Sequence, residues 1–253
     1  MSWVEALVII LAGMGAGTIN TIVGSGTLIT FPTLLFFGYP PVSANISNSL
    51  GLVAGGLSGA WGYRKELVTS RRMLGKLAPA SFAGSVIGAL LLLVLPESAF
   101  EAIVPVLIAL ALVLVVAGPR LNRWAAGQHA HRMTRGRWVA LIVGVLVAGM
   151  YGGYFGAAQG VLLIGLMSVL LPLGIQELNG IKNVLGLIVN FVAALTFVIV
   201  QPSQINWTIA GLVAIGALMG GFIGARVGRA MPAWLLRAVI VVIGTVAIVV
   251  LLV

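Results

Sequence analysis

Gly84-Ser85-Val86-Ile87-Gly88-Ala89 lies within one apolar stretch of this chain, and Gly220-Gly221-Phe222-Ile223-Gly224-Ala225-Arg226 closes another. The first stretch follows a basic loop (Arg64, Lys65, Arg71, Arg72, Lys76) and runs out at Pro96-Glu97. The second follows the uncharged Gln201-Pro202-Ser203-Gln204 and ends at Arg226 and Arg229. Basic residues mark the cytoplasmic side of a membrane segment, so two similar segments with opposite charge order run in opposite directions. That contrast decides the fold: an all-α membrane protein made of two inverted copies of one unit.

Working outward, thirteen of the fourteen Lys and Arg residues fall within 64–76, 119–137 and 226–237, and the sequence between is long, apolar and Gly-rich. Hydrophobic residues make up 60% of the 253 and charged ones only 8%, which sets the chain apart from soluble domains of this size. The net charge of +9 sits in short loops, where it orients helices and meets anionic headgroups, so nucleic acid is not an expected partner. Cysteine is absent, which removes disulfides, thiolate metal sites and cysteine nucleophiles. The first stretch lacks a basic leader and carries Glu5, and is read as retained.

Ten apolar segments follow, near 3–23, 26–38, 42–63, 77–95 and 100–118, then 138–157, 160–173, 179–201, 207–225 and 233–253. Segments two and seven reach roughly 20 Å, short of the about 30 Å hydrocarbon core, and are expected as short or broken helices, spanning or re-entrant. Gly26-Thr27-Leu28 aligns with Gly160-Val161-Leu162, and Asn48-Ser49-Leu50-Gly51-Leu52 with Asn183-Val184-Leu185-Gly186-Leu187. With the Gly84 and Gly220 stretches, these give offsets of 134, 135 and 136. The expected organisation is an N-terminal repeat over 1–118, a basic cytoplasmic linker over 119–137 and a C-terminal repeat over 138–253, with both termini outside. Inverted repeats with short helices are a common build of secondary transporters, whose substrate sits near the midplane where the copies meet.

Polar groups at membrane depth are costly unless they line a cavity or find partners. The first cluster is Thr18, Asn20, Thr21 and Gly24-Ser25-Gly26-Thr27. Its counterpart is Gly152 to Gly160, with Gln159. Each presents the N-terminus of a short helix, whose free amides and positive dipole suit an anion. The second cluster is Asn45, Ser47, Asn48 and Ser49, matched by Asn179, Lys182 and Asn183, with Asn190 two turns on. Helical spacing puts Asn45, Asn48 and Ser49 on one face, and Asn179, Lys182 and Asn183 on another, where amide or ammonium donors can converge on one ligand. The competing reading is interhelical hydrogen bonding, about 0.6 kcal/mol each. Lys182 has two readings as well, an ammonium beside the cavity or a snorkelling partner of Glu177.

Aspartate is absent and the five glutamates lie at segment edges or in loops, so a deep carboxylate proton relay is hard to build. An inside-negative potential by itself drives an anion outward, at about 2.3 kcal/mol per charge per 100 mV. The two Gly-x-x-x-Gly pairs read as close packing or as a sliding face. His129 and His131 sit in the linker and form a weak metal signal. Ser25 between glycines lacks a base within reach, so enzyme activity is not expected, and no metal or cofactor is called for.

The handover Gly24-Ser25-Gly26 with Pro32, the polar turn into Ala44-Asn45, the basic linker, the second Gly-rich handover and the closing Gly-x-x-x-Gly-Ala-Arg226 resemble the TauE/SafE family of sulfite and organosulfonate exporters over nearly the whole chain. The resemblance implies a cytoplasmic (inner) membrane exporter of small sulfur-containing anions such as sulfite or sulfoacetate. It places sites at Ser25, Gly26, Asn48, Gln159, Gly160 and Asn183. Combined with the residue reading, the expected binding set is Asn20, Thr21, Ser25, Gly26, Asn45, Asn48, Ser49, Gln159, Gly160, Asn179, Lys182 and Asn183. Expected partners are a small anion and membrane lipids, and a homodimer is compatible. The alternatives are a passive small-anion channel and a membrane scaffold.

Overall fold

In a computed structural model of the protein, the described residues are 1–68, 70–127 and 134–227, with 238, 241, 242 and 245. Helices α1 (Trp3–Ile22), α2 (Thr27–Phe36), α3 (Pro41–Gly62), α4 (Arg71–Val94) and α5 (Glu97–Gly127) are followed by α6 (Arg135–Tyr154), α7 (Gln159–Leu170), α8 (Ile175–Val200) and α9 (Trp207–Val227). No strand occurs among the described residues. Six of the helices, α1, α4, α5 (over Glu97–Ala117), α6, α8 and α9, are long and apolar enough to cross a membrane.

Local chemistry sets the boundaries. Ser2 and Glu5 form a capping box at the start of α1, with the Glu5 N–H donating to Ser2 Oγ at 3.1 Å. Gly24, at φ 84°, reverses the chain after α1, and Gly38, at φ 80°, after α2. Pro41 presets the first turn of α3. Helix α5 runs beyond the end of the fifth apolar segment at Gly118. The helix continues to Gly127 through a segment that includes Leu121, Arg123, Trp124, Ala125 and Ala126, residues of fair to good helix propensity. His129, His131 and Arg132 of the linker, Arg229 and Arg237, and the tenth apolar segment other than 238, 241, 242 and 245, lie outside the described residues.

Helices α2 and α7 have 10 and 12 residues, about 15 and 18 Å, and cannot cross alone. Helix α3 has 22 residues but is too polar to stand among the six; its Asn45, Ser47, Asn48, Ser49 and Ser58 are buried, so protein rather than lipid surrounds them.

The contacts between helices come in matched pairs. On α4, Gly84 and Gly88 lie against the Leu146 and Met150 carbonyls of α6, so closely that any Cβ would collide. On α9, Gly220 and Gly224 lie in the same way against Met14 and Thr18 of α1. Both Gly-x-x-x-Gly pairs are thus helix–helix contacts. Helix α4 reaches α8 through Ser85 Oγ, which donates to Val189 O at 2.8 Å, and α9 meets α3 where Gly221 faces Gly55 O. The helix ends match too: the Val23 and Gly24 N–H groups both return to Ile19 O, as those of Phe155 and Gly156 return to Tyr151 O. This register pairs Gly24 with Gly156, and Asn48 with Lys182, where the sequence alignment paired Gly26 with Gly160 and Asn48 with Asn183.

Candidate functional site

The two handovers are built alike up to a point. After α1 the left-handed residue is Gly24; after α6 there are two, Gly156 (φ 81°) and Ala158 (φ 60°). A left-handed alanine costs about 1–2 kcal/mol. The strained turn is held by the Tyr151 hydroxyl, which donates to Ala157 O at 2.5 Å. The handovers touch each other: Gly160 N–H donates to Gly24 O at 3.0 Å. A Cβ on either glycine would run into the other's backbone.

Beside this seam lies a narrow cleft. The handovers and short helices contribute Asn20, Thr21, Gly24, Thr27, Gly156, Gln159, Gly160 and Leu163. Helix α3 adds Leu52, Gly55 and Gly56, and α8 adds Lys182, Asn183, Gly186 and Asn190. Its interior has room for about one or two water molecules. No carboxylate lines it.

Lys182 is the one buried charged side chain among the described residues, 2% exposed. Its Nζ donates to Thr21 O at 2.8 Å and to Asn20 O at 3.1 Å, and Asn183 Nδ2 donates to the same Thr21 oxygen at 3.2 Å. These oxygens belong to the last turn of α1, where carbonyls lack helical partners and the dipole is negative. The Lys182 stem crosses Gly160, where a Cβ would stand 2.9 Å from its Cδ. Gln159 is buried, and its Nε2 has no acceptor. Its amide lies against Gly152, whose missing side chain makes the space; a Cβ there would stand 2.5–2.7 Å from the amide atoms. A buried donor without a partner costs about 1–3 kcal/mol. An anion in the cleft would relieve that cost and complete the neutralisation of the ammonium.

Of the expected binding residues, Asn20, Thr21, Gln159, Gly160, Lys182 and Asn183 line this cleft together. Ser25, Gly26, Asn45, Asn48, Ser49 and Asn179 do not. Asn48 bonds within its own half: its Oδ1 accepts a short hydrogen bond from the Thr30 hydroxyl and its Nδ2 donates to Thr27 Oγ1 at 3.4 Å. Asn45 Nδ2 donates to Tyr154 O at 2.9 Å, at the end of α6, and Ser49 Oγ donates to Asn45 O at 2.9 Å. Gly26 packs on α1, where a Cβ would stand 2.5 Å from Ala16 O. Ser25 is fully buried with its Oγ unpartnered, and Asn179 is half-buried. Glu177 caps α8, accepting from Gly174 N–H at 3.1 Å. Leu52, Gly55, Gly56, Leu163 and Gly186 were not anticipated. Among the described residues no cluster of three or more His, Cys, Asp or Glu could hold a metal.

A family model described as "Sulfite exporter TauE/SafE" matches residues 9–251. The chain is similar to a probable membrane transporter protein of Haemophilus influenzae, 26% identical over 93% of this chain and 89% of that one. It is also similar to the probable membrane transporter protein ORF9 of a Sinorhizobium species, 29% identical over 92% of this chain and 87% of the relative. A third relative, the probable membrane transporter protein YunE of Bacillus subtilis, is 23% identical over 94% and 95%. No solved structure matches the chain.

Proposed function

Because the chain belongs to the TauE/SafE family and is a membrane transporter of that family, we propose that it exports a small sulfur-containing anion, such as sulfite, sulfoacetate or another organosulfonate, by alternating access. The anion is held in the cleft between two inverted five-segment halves, near the midplane. One observation carries this reading: the buried Lys182 ammonium and the unpaired Gln159 amide share a cleft that no carboxylate lines. A cation finds no charged partner there, and an anion finds an ammonium and neutral donors. The matched contacts of α4 on α6 and α9 on α1 support the inverted halves. The narrowness of the cleft favours an occluded carrier over an open pore.

In this reading both termini lie outside, the linker lies in the cytoplasm, and the membrane potential drives export. The test is electrogenic current in proteoliposomes on rapid addition of sulfite, sulfoacetate, taurine, sulfate or chloride, with and without a pH gradient. Saturable current for one sulfur anion, with counterflow when that anion is present on both sides, is the expected outcome. Current with chloride alone and no counterflow would establish the channel instead.

A further inference from the structure

Lys182 does more than an anion ligand requires. Its ammonium and the Asn183 amide close the end of α1 by taking the Asn20 and Thr21 carbonyls. The last backbone bonds of that helix, from Val23 and Gly24, return to Ile19 O, so these two oxygens lie past the helical ladder and depend on α8. The same four residues line the cleft. An anion drawn to the ammonium therefore arrives beside two carbonyl oxygens that carry the negative pole of α1, equivalent to roughly half an elementary charge. The two carbonyls take two of the three ammonium donors, so an anion on the third sets its negative charge beside their negative pole, and that like polarity favours parting the end of α1 from α8. Its stem packs on Gly160 at the cleft, and the charges that would part lie at the joint between α1 and α8.

We infer that Lys182 is a positioning residue through which anion occupancy unlocks the end of α1 from α8. The ammonium on Asn20 and Thr21 is the latch, and loading transfers the ammonium to the anion. This rests on the anion reading of the cleft and adds to it the step that links occupancy to movement.

The experiment uses full-length protein in nanodiscs, with sulfite as the probe. Sulfite binding is read by titration calorimetry, and the latch by amide hydrogen exchange over residues 20–26. Sulfite is expected to speed exchange there tenfold or more in the wild type. Lys182→Met is expected to exchange fast without sulfite and to show no response to it. Asn183→Ala, which keeps the ammonium, is expected to start from a raised baseline and still respond, and it carries the test with the wild type if Lys182→Met does not fold. Heat of sulfite binding with exchange at 20–26 unchanged or slowed overturns the latch and leaves the anion site standing. Absence of both heat and exchange response overturns the site for sulfite and the latch with it.

Discussion

Asn48 and Lys182 occupy matching places on α3 and α8, yet they are used in opposite ways. Asn48 turns to α2 in its own half, bonding Thr30 and Thr27, and is fully buried. Lys182 crosses to the other half and bonds the end of α1. One place is a closed neutral knot with both amide ends taken; the other is a charge held by two carbonyls. Under the proposed function the Asn48 side is rigid and the Lys182 side, which holds the charge, is exchangeable.

Several substitutions would break or sharpen this contrast. Lys182→Met should show the largest effect, a loss of sulfite-driven current of 100-fold or more at equal protein in the membrane, because one ammonium accounts for the charge of the cleft. Current within twofold of wild type would remove the distinction between the two places. Gln159→Glu should come next, placing a carboxylate beside the incoming anion and lowering apparent sulfite affinity tenfold or more, read from the concentration dependence of the current. Asn48→Ala should act on the other axis: stranding the Thr27 and Thr30 hydroxyls lowers stability by about 1–3 kcal/mol, seen in thermal unfolding in detergent, while apparent sulfite affinity stays within twofold.

The smallest effect concerns the first helix of each half. Glu5, near the start of α1, accepts from the Tyr39 hydroxyl at 2.5 Å, and Arg137, near the start of α6, donates to Val169 O at 2.9 Å; each ties a long helix to the far end of the short one. Hydrogen bonding to the Glu5 carboxylate pushes the Tyr39 phenol up to about 12. The raised value means that this tie is fully present below the usual phenol range and lost as pH rises through about 12. Tyr39→Phe should lower the unfolding temperature by at most a few degrees, since solvent reaches the Glu5 side of the bond, and leave transport unaltered.

Much of the fold could be read from residues because the bilayer punishes exceptions. A Gly-Ser-Gly-Thr run inside apolar sequence has to be a handover, and a 10-residue apolar run has to be short. The pairing of side chains was less legible. Asn45, Asn48 and Ser49 share a helical face as expected, but which carbonyl or hydroxyl each meets depends on how α3 crosses α2 and α6, and spacing along one helix carries no record of that crossing. Lys182 showed the same limit: its sequence position left open an ammonium beside the cavity or a snorkelling partner of Glu177, and spacing could not tell that its partners lie at the end of α1. Gly55, Gly56 and Gly186 gave no warning, since glycine is routine in membrane helices and becomes informative only where another backbone approaches.

The bonds from Lys182 to the end of α1 bridge 161 and 162 residues of chain. At about 5–20 residues per second, a ribosome needs roughly 10 to 30 s between making Thr21 and making Lys182. Through that interval the first helix is in or near the bilayer with two terminal carbonyls awaiting donors that have not been synthesised. The nascent chain therefore has to stay shielded from lipid, by the insertion machinery or by water, until its eighth helix emerges.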